Sequence, residues 1–413
     1  MNKNRVLLIG YYFPPLGGAG VGRPLRLFKY LPQYGYDCEV LTVKSVAYRY
    51  YEPELLTGMD DSYIYRSGSH DPQRLMYLFG MRKVKDTVIA RGKKVSDRFF
   101  PDPKIGWVKS AQKLGRILCE NKNYHSIIST SPPISSHLVA MRLSHEFKLP
   151  WVADFRDFWT SYKAEDWFDE PQKIKKAQKL LQEITDKATE ITVVNNAIKE
   201  YLKRGEIIPN SYDEDRAKKW RRPQNSDNFI IGILGTVDHL TPVEPLFKLL
   251  TLFRKKYPDL YSMIKLIQVG NINQSDFDSL LKKYELSDKI QIYGRKKREE
   301  TINILSDTHL LYMGLSMQYG IGTGRIYDML ASGRPILAFV SSQSVVNDLI
   351  KESNNGFRFD ESIFDDTCQY LYQQLVKFKE KKLTVNPLPS YADKYSSSNM
   401  VKQFVSVLDN LKQ

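Results

Sequence analysis

At 413 residues the chain is too long for one ordinary hydrophobic core, so two domains are expected. Its 42% hydrophobic and 26% charged residues exclude global disorder, and no run approaches about 18 consecutive apolar residues, which excludes a spanning helix. The net charge of +14 favours anionic partners: phosphorylated ligands, an acidic membrane surface or nucleic acid.

Cys38, Cys119 and Cys368 have no paired spacing, which excludes a disulfide framework or a Cys-based zinc site and fits a reducing cytoplasm. The six histidines form no HxxxH or HxH cluster, so a metal held by local ligand pairs is not expected.

In chain order, "MNKNRVLLIGYYFPP" reads as a first buried strand over Val6–Ile9 rather than a signal peptide. Gly17-Gly18-Ala19-Gly20-Val21-Gly22 follows, then apolar residues at helical spacing (Leu25, Leu27, Phe28, Leu31) and a second strand, Glu39–Val43. Glycines between a first strand and a first helix let backbone N–H groups approach a phosphate. A dinucleotide site needs an acidic residue at the end of the second strand. This strand ends in Lys44, which argues against nicotinamide binding.

Between Arg82 and Arg116 eleven Lys/Arg stand against three Asp, interleaved with Phe99, Phe100, Ile105, Trp107 and Val108. Two readings remain open: an interfacial segment on anionic lipid, or a solvated helical face whose aromatics belong to the core. Ser126–Ser129 is the next strand, and Thr130 and Ser131 follow it ahead of Pro132-Pro133 and the helix Ser135–Phe147. Their hydroxyls suit either an acceptor or an N-cap cluster.

Leu149–Ala153 restarts a strand that runs into Asp154-Phe155-Arg156-Asp157, flanked by Trp151 and Trp159. Charged residues at the carboxyl end of an apolar strand stand where α/β enzymes place their chemistry, and function is preferred here to an ion pair that pins a loop. The amphipathic stretch Pro171–Ala188 and the strand Ile191–Val194 complete this half.

Residues 206–228 are charged and turn-rich and mark a linker. Strands recur at Phe229–Gly235, Ile264–Gly270, Ile290–Gly294, His309–Met313 and Ile336–Val340, with helices between them. The alternation predicts an α/β fold of two doubly wound, Rossmann-like domains, residues 1–205 and 229–390. Residues 391–413 form a terminal helix, with packing back on the first domain as one arrangement. Open parallel sheets bind ligands beyond the carboxyl ends of their strands, so two such domains facing across a cleft put the expected site at their junction.

In "YGIGTGRIYDMLASGRPILAF", residues 319–339, Gly320, Gly322 and Gly324 precede a helix that opens with Arg325. Backbone amides, a positive dipole end and a guanidinium suit a diphosphate. Asp328, one turn on, suits the vicinal hydroxyls of a ribose; the alternative is an i,i+3 pair with Arg325 on a surface helix.

Seven pieces in order, "YYFPPLGGAGVGRPLRLFKYLPQYGYDCEVLTV", "ISTSPPISSHLVA", "PWVADFRDFWT", "ATEITVVNNAIKEYL", "IIPNSYD", "ILGTV" and "GRIYDMLASGRPILA", resemble the family 4 retaining glycosyltransferases of the GT-B fold. The likeness spans nearly the whole chain and is strongest to the branch acting in bacterial surface-polysaccharide assembly. It implies transfer of a hexosyl or N-acetylhexosaminyl unit from a nucleotide-diphosphate sugar to a glycan or lipid-linked acceptor. The nucleotide sugar is a substrate; no cofactor, metal or nucleic acid is implied. The setting is the cytoplasm, with peripheral attachment to the inner face of the membrane as one arrangement.

By position, the resemblance makes Asp154, Arg156 and Asp157 catalytic, and Gly17, Gly18, Thr130 and Ser131 acceptor-binding. Gly235, Thr236, Gly322, Thr323, Gly324 and Arg325 fall on the donor diphosphate, Asp328 on the ribose, and Tyr293, Gly294 and Arg295 on the base. The chain departs from the family at Gly320, where a first glutamate often stands, and at Asp328, which replaces the second. A nucleotide-sugar epimerase of the same fold and a basic nucleic-acid-binding protein are the alternative functions.

Overall fold

Runs of Val, Leu and Ile without polar alternation suit strands buried on both faces. Val6, Leu7, Leu8 and Ile9 are accordingly all fully enclosed. The computed structural model describes residues 4–45, 50–72, 74, 99–159, 170–316 and 323–411. The chain divides into two units, Met1–Asn210 with Ser397–Gln413, and Ser211–Ser396.

The first unit holds β1 (Asn4–Ile9), β2 (Tyr36–Val43), β3 (Ile64–Ser67), β4 (Ser126–Ser131), β5 (Trp151–Phe155), β6 (Glu190–Val193) and β7 (Glu206–Ile207). They form a parallel sheet in the order β3-β2-β1-β4-β5-β6-β7. The order reverses between β1 and β4, and ligands of such sheets bind beyond the strand ends at that switch. On one face the helix Gly22–Tyr30 and the terminal helix Ser397–Asp409 share a core with β1, β2 and β4, through Leu25, Phe28, Met400, Val401 and Phe404.

The second unit holds β8 (Phe229–Leu234), β9 (Ile264–Val269), β10 (Ile290–Ile292), β11 (Leu310–Gly314), β12 (Ile336–Phe339) and β13 (Gly356–Phe359). Their order is β10-β9-β8-β11-β12-β13, again all parallel, with the switch between β8 and β11. Side chains alternate between two cores, as a period of two requires. Leu311 and Met313 join Ile326, Leu330 and Val346 on one face, while Leu310 and Tyr312 join Phe247, Phe253 and Leu371 on the other.

The stretch 206–228, read from sequence as a linker, is folded through much of its length. Glu206–Ile207 is β7, Glu214–Ala217 is a helix, and Ala217 and Trp220 enter the core of the second unit. The reason lies in Arg334, which is fully buried, stacks 4.8 Å over Trp220 and donates to the carbonyls of Thr308, Ser332, Ser306 and Arg221. A buried guanidinium needs acceptors for its donors, and this segment supplies one carbonyl and the covering ring.

Of the basic stretch Arg82–Arg116, residues 82–98 lie outside the described residues. Trp107 and Val108 are core, and the helix Val108–Asn121 exposes Lys109, Lys113 and Arg116 on one stripe. No helix of the described residues is long and apolar enough to cross a membrane.

Candidate functional site

Three neighbouring strands of the second sheet end alike. Gly235 follows β8, Gly270 follows β9 and Gly294 closes the β10 end, with φ of 102°, 149° and 64°. Side chains other than hydrogen are strained at such values. The Gly270 N–H donates to the Gly294 carbonyl at 2.9 Å, and a Cβ on Gly270 would collide with the Gly235 carbonyl oxygen. At Gly270 the strand ends therefore approach so closely that only glycine fits, whereas a Cβ on Gly294 would meet nothing among the described residues.

Arg325 completes this edge. Its Nη1 donates to the Leu234 carbonyl at 2.5 Å, and a Cβ on Gly235 would collide with the guanidinium. Burial pushes the Arg325 pKa below the usual arginine value, and the Asp238 carboxylate opposes that shift. Among the described residues no carboxylate is hydrogen-bonded or ion-paired to Arg325, and Asp238 acts on it only through space, at the β8 switch-point end. The exposed Thr236 N–H also has no partner among the described residues.

The rest of the expected diphosphate cradle is less complete. Gly322 lies outside the described residues. The Arg325 amide donates to Thr323 Oγ1 at 3.4 Å, and the Ile326 amide to the Thr323 carbonyl at 3.2 Å, so neither amide is spare. Gly324 is exposed, and a Cβ on it would meet nothing among the described residues.

Asp328 makes no pair with Arg325; its Oδ2 accepts from Arg216 Nη2 at 3.1 Å. Tyr293 is half-buried, its N–H on the Gln268 carbonyl at 2.9 Å, and Arg295 is exposed beside it.

In the first unit the charged residues after β5 split into three roles. Asp154 is wholly buried and accepts from Arg23 (Nε 3.0 Å, Nη2 2.9 Å), Thr130 Oγ1 (2.7 Å) and Thr192 Oγ1 (2.8 Å). Burial alone would push its pKa up, but the Arg23 guanidinium and these hydrogen bonds outweigh that and hold the carboxyl below the usual carboxylate range. With its lone pairs filled, Asp154 reaches a substrate only through its neighbours, and the Thr130 hydroxyl is spent on it.

Arg156 donates to the carbonyls of Gly20 (2.7 Å), Ser131 (3.0 Å) and Pro132 (3.0 Å), stapling the glycine-rich loop to the turn after β4. Asp157 alone of the three is exposed. Ser131 is enclosed, and so is Gly17, whose N–H donates to the Tyr50 carbonyl at 2.8 Å. Gly18 takes φ 102°.

Sequence reasoning missed Arg23, Tyr12, Arg216, Gln268 and Gly270 as site residues. Arg23 also donates to the Pro209 carbonyl at 2.9 Å and lies 4.9 Å over Phe404, so it ties three distant segments to Asp154. Tyr12 packs on Gly20, and its hydroxyl has no hydrogen-bond partner among the described residues. Burial and the nearby Asp102 and Asp71 carboxylates push its pKa up to about 12. Gln268 donates to the Gly235 carbonyl at 3.3 Å. Gly270 had a visible signal, since three apolar runs in a row end in glycine.

Neither a known family model nor a curated protein sequence matches the chain. Solved structures do. They include sucrose-phosphate synthase of Thermosynechococcus elongatus, at 12% identity and TM-score 0.68 over 98% of each chain. HepE of Anabaena, solved with UDP, matches at 11% identity and TM-score 0.64, over 99% of this chain and 100% of that one. A TarM mutant of S. aureus, solved with fondaparinux, α-GlcNAc-glycerol and UDP, matches at 12% identity and TM-score 0.60, over 99% and 100%. The chain has the GT-B fold of these neighbours.

Proposed function

We propose that the chain is a retaining glycosyltransferase that moves a hexosyl or N-acetylhexosaminyl unit from a nucleotide-diphosphate sugar to a glycan or lipid-linked acceptor. One observation carries the assignment: an Arg325 guanidinium with no ion-pair partner among the described residues lies against Gly235 at the switch-point edge of the second sheet. As the bond from the anomeric carbon to the diphosphate oxygen breaks, its electron pair leaves with the diphosphate. Fixed donors aimed at that growing charge lower the barrier. Arg325 and the Thr236 N–H supply them, and Asp328 accepts from the ribose; Tyr293 to Arg295 form the edge offered to the base. The UDP in two of the structural neighbours supports a donor of this class.

With Arg325 meeting the charge, the scheme requires no metal. Retention follows when the acceptor hydroxyl bonds to the anomeric carbon from the face the diphosphate leaves. Its proton passes to a donor phosphate oxygen. Asp157 is the acceptor-side carboxylate able to touch substrate, while Asp154 and Arg156 hold Thr130, Ser131 and the loop at Gly17 and Gly18. The resemblance to polysaccharide-assembly enzymes supports a role in cell-surface glycan synthesis at the cytoplasmic membrane face.

A thermal-shift screen with UDP, GDP, ADP and their sugars tests the assignment. A concentration-dependent rise in Tm is expected with at least one of them, and its loss in Asp328→Ala. No shift with any of them, and no effect of that variant, overturns it. Product analysis with and without an acceptor separates transfer from epimerisation of the donor, and the anomeric configuration of the product tests retention.

A further inference from the structure

Arg216 stands in a stretch that carries no donor-site motif, yet its Nη2 is 3.1 Å from Asp328 Oδ2. Its placement is rigid. The helix Glu214–Ala217 is capped by Asp213, whose Oδ1 accepts the Arg216 N–H at 3.1 Å. Ala217 and Trp220 anchor that helix in the same core as Ile326, Tyr327, Met329 and Leu330, which fix the helix bearing Asp328. Both ends of the ion pair are thus held by packing.

The Arg216 and Asp328 side chains keep 18% and 29% of their surface exposed, so the pair is part-buried and still reached by water, which holds its contribution to stability to a modest one. What the contact does accomplish is geometric. An aspartate carboxylate turns freely about its last torsion unless one oxygen is held. Arg216 holds Oδ2, and Oδ1 has no partner among the described residues. A carboxylate with one oxygen anchored and the other unspent is prepared to accept from a hydroxyl pair.

We propose that Arg216 is a positioning residue for the donor nucleotide: it orients Asp328 so that Oδ1 reads the ribose hydroxyls. The inference rests on the donor-site assignment above. Because Asp328 is one methylene shorter than glutamate, it cannot swing far to find a ribose, and its orientation must be set beforehand.

The test measures discrimination between a ribose and a 2′-deoxyribose. UDP, GDP and ADP are each titrated beside the 2′-deoxy counterpart by calorimetry, against the full-length protein and its Arg216→Met, Arg216→Lys and Asp328→Asn variants. The wild type should favour the ribonucleotide by about ten- to hundredfold, the range of one hydrogen bond to a charged group. In Arg216→Met that ratio should fall to within about threefold of unity, while affinity for the deoxy form changes little. Arg216→Lys should restore part of the ratio, and Asp328→Asn should abolish it. Combining Arg216→Met with Asp328→Asn should give no further change.

A purely structural Arg216 would weaken both nucleotides alike and leave the ratio intact; that result overturns the inference and spares the donor site. If Arg216→Met does not fold, an unchanged ratio in Arg216→Lys together with an unchanged ratio in Asp328→Asn overturns it equally. Failure of the wild type to bind any of the three diphosphates removes the donor site itself and this role with it.

Discussion

The Arg325 guanidinium fills the space that a side chain on Gly235 would occupy, with Nη1 2.5 Å from the Leu234 carbonyl oxygen. One position must be empty for the other to be charged there. The relationship joins the end of β8 to the start of a helix some ninety positions later in the chain (|i−j| = 91). It makes the glycine a condition for the cation, and the first prediction follows from it.

Gly235→Ala should destabilise the protein by about 1–3 kcal/mol, because φ of 102° is strained for alanine. It should also displace Arg325 and abolish stabilisation by nucleoside diphosphates. Gly324→Ala is the control: φ is −58° and a Cβ meets nothing among the described residues, so stability and ligand response should be unchanged. Chemical denaturation with and without UDP, GDP or ADP measures both; equal behaviour of the two variants would contradict the proposed contact.

Arg325→Met should weaken diphosphate binding by about 1.5–3 kcal/mol, the range for a hydrogen bond to a charged group. Lysine should recover only part, since it offers a point charge in place of a planar fork. Calorimetric titration reads the difference, and an affinity untouched by Arg325→Met places the diphosphate elsewhere.

Asp154→Asn should cost about 3–5 kcal/mol by leaving Arg23 buried without its counter-charge. The folded pKa of Asp154 is depressed, so its contribution is fully present above the unfolded value of about 3.9 and is lost as pH falls towards and through the folded one. Urea unfolding at pH 7 and below pH 4 should show the variant losing less on acidification than the wild type. A parallel loss in both would argue against the pair.

Two buried histidines set a second, higher pH window. Burial holds His137 at about 3 and His309 at about 4, both below the unfolded value of about 6.5. Between these values the unfolded chain binds more protons, so stability falls as pH drops below about 6.5, by at most about 1.4 kcal/mol per pH unit for each histidine. Unfolding free energies at pH 7.5, 6 and 5 should trace this slope, and His309→Gln should reduce it. A flat profile over that range would contradict neutral, buried imidazoles.

Lys109, Lys113 and Arg116 are all exposed on the helix Val108–Asn121. If that stripe meets the membrane, replacing all three by Glu should reduce flotation with phosphatidylserine vesicles, at about 1 kcal/mol per basic residue near the surface. Neutral vesicles should bind neither protein. Equal flotation of variant and wild type on anionic vesicles would exclude the stripe as the contact.

The two parallel sheets could be read from sequence because burial on both faces demands unbroken runs such as Val6–Ile9 and Leu310–Met313, and those are local. Gly235, Gly294 and Arg325 were legible for the same reason: strand ends and helix starts announce themselves in neighbouring residues. The fate of Asp154 was not. Its sequence neighbours, Phe155 to Asp157, say nothing of Arg23, Thr130 or Thr192, which reach it from three other segments and turn a candidate catalytic acid into an enclosed ion pair.

Arg216 was hidden in what read as a linker, because its partner Asp328 lies 112 positions away. Periodicity reports what a residue does to its own helix or strand, so the sequence alone determined the architecture and where its strands end. Which side chain neutralises which charge depends on segments brought together only by packing, and that the tertiary structure decided.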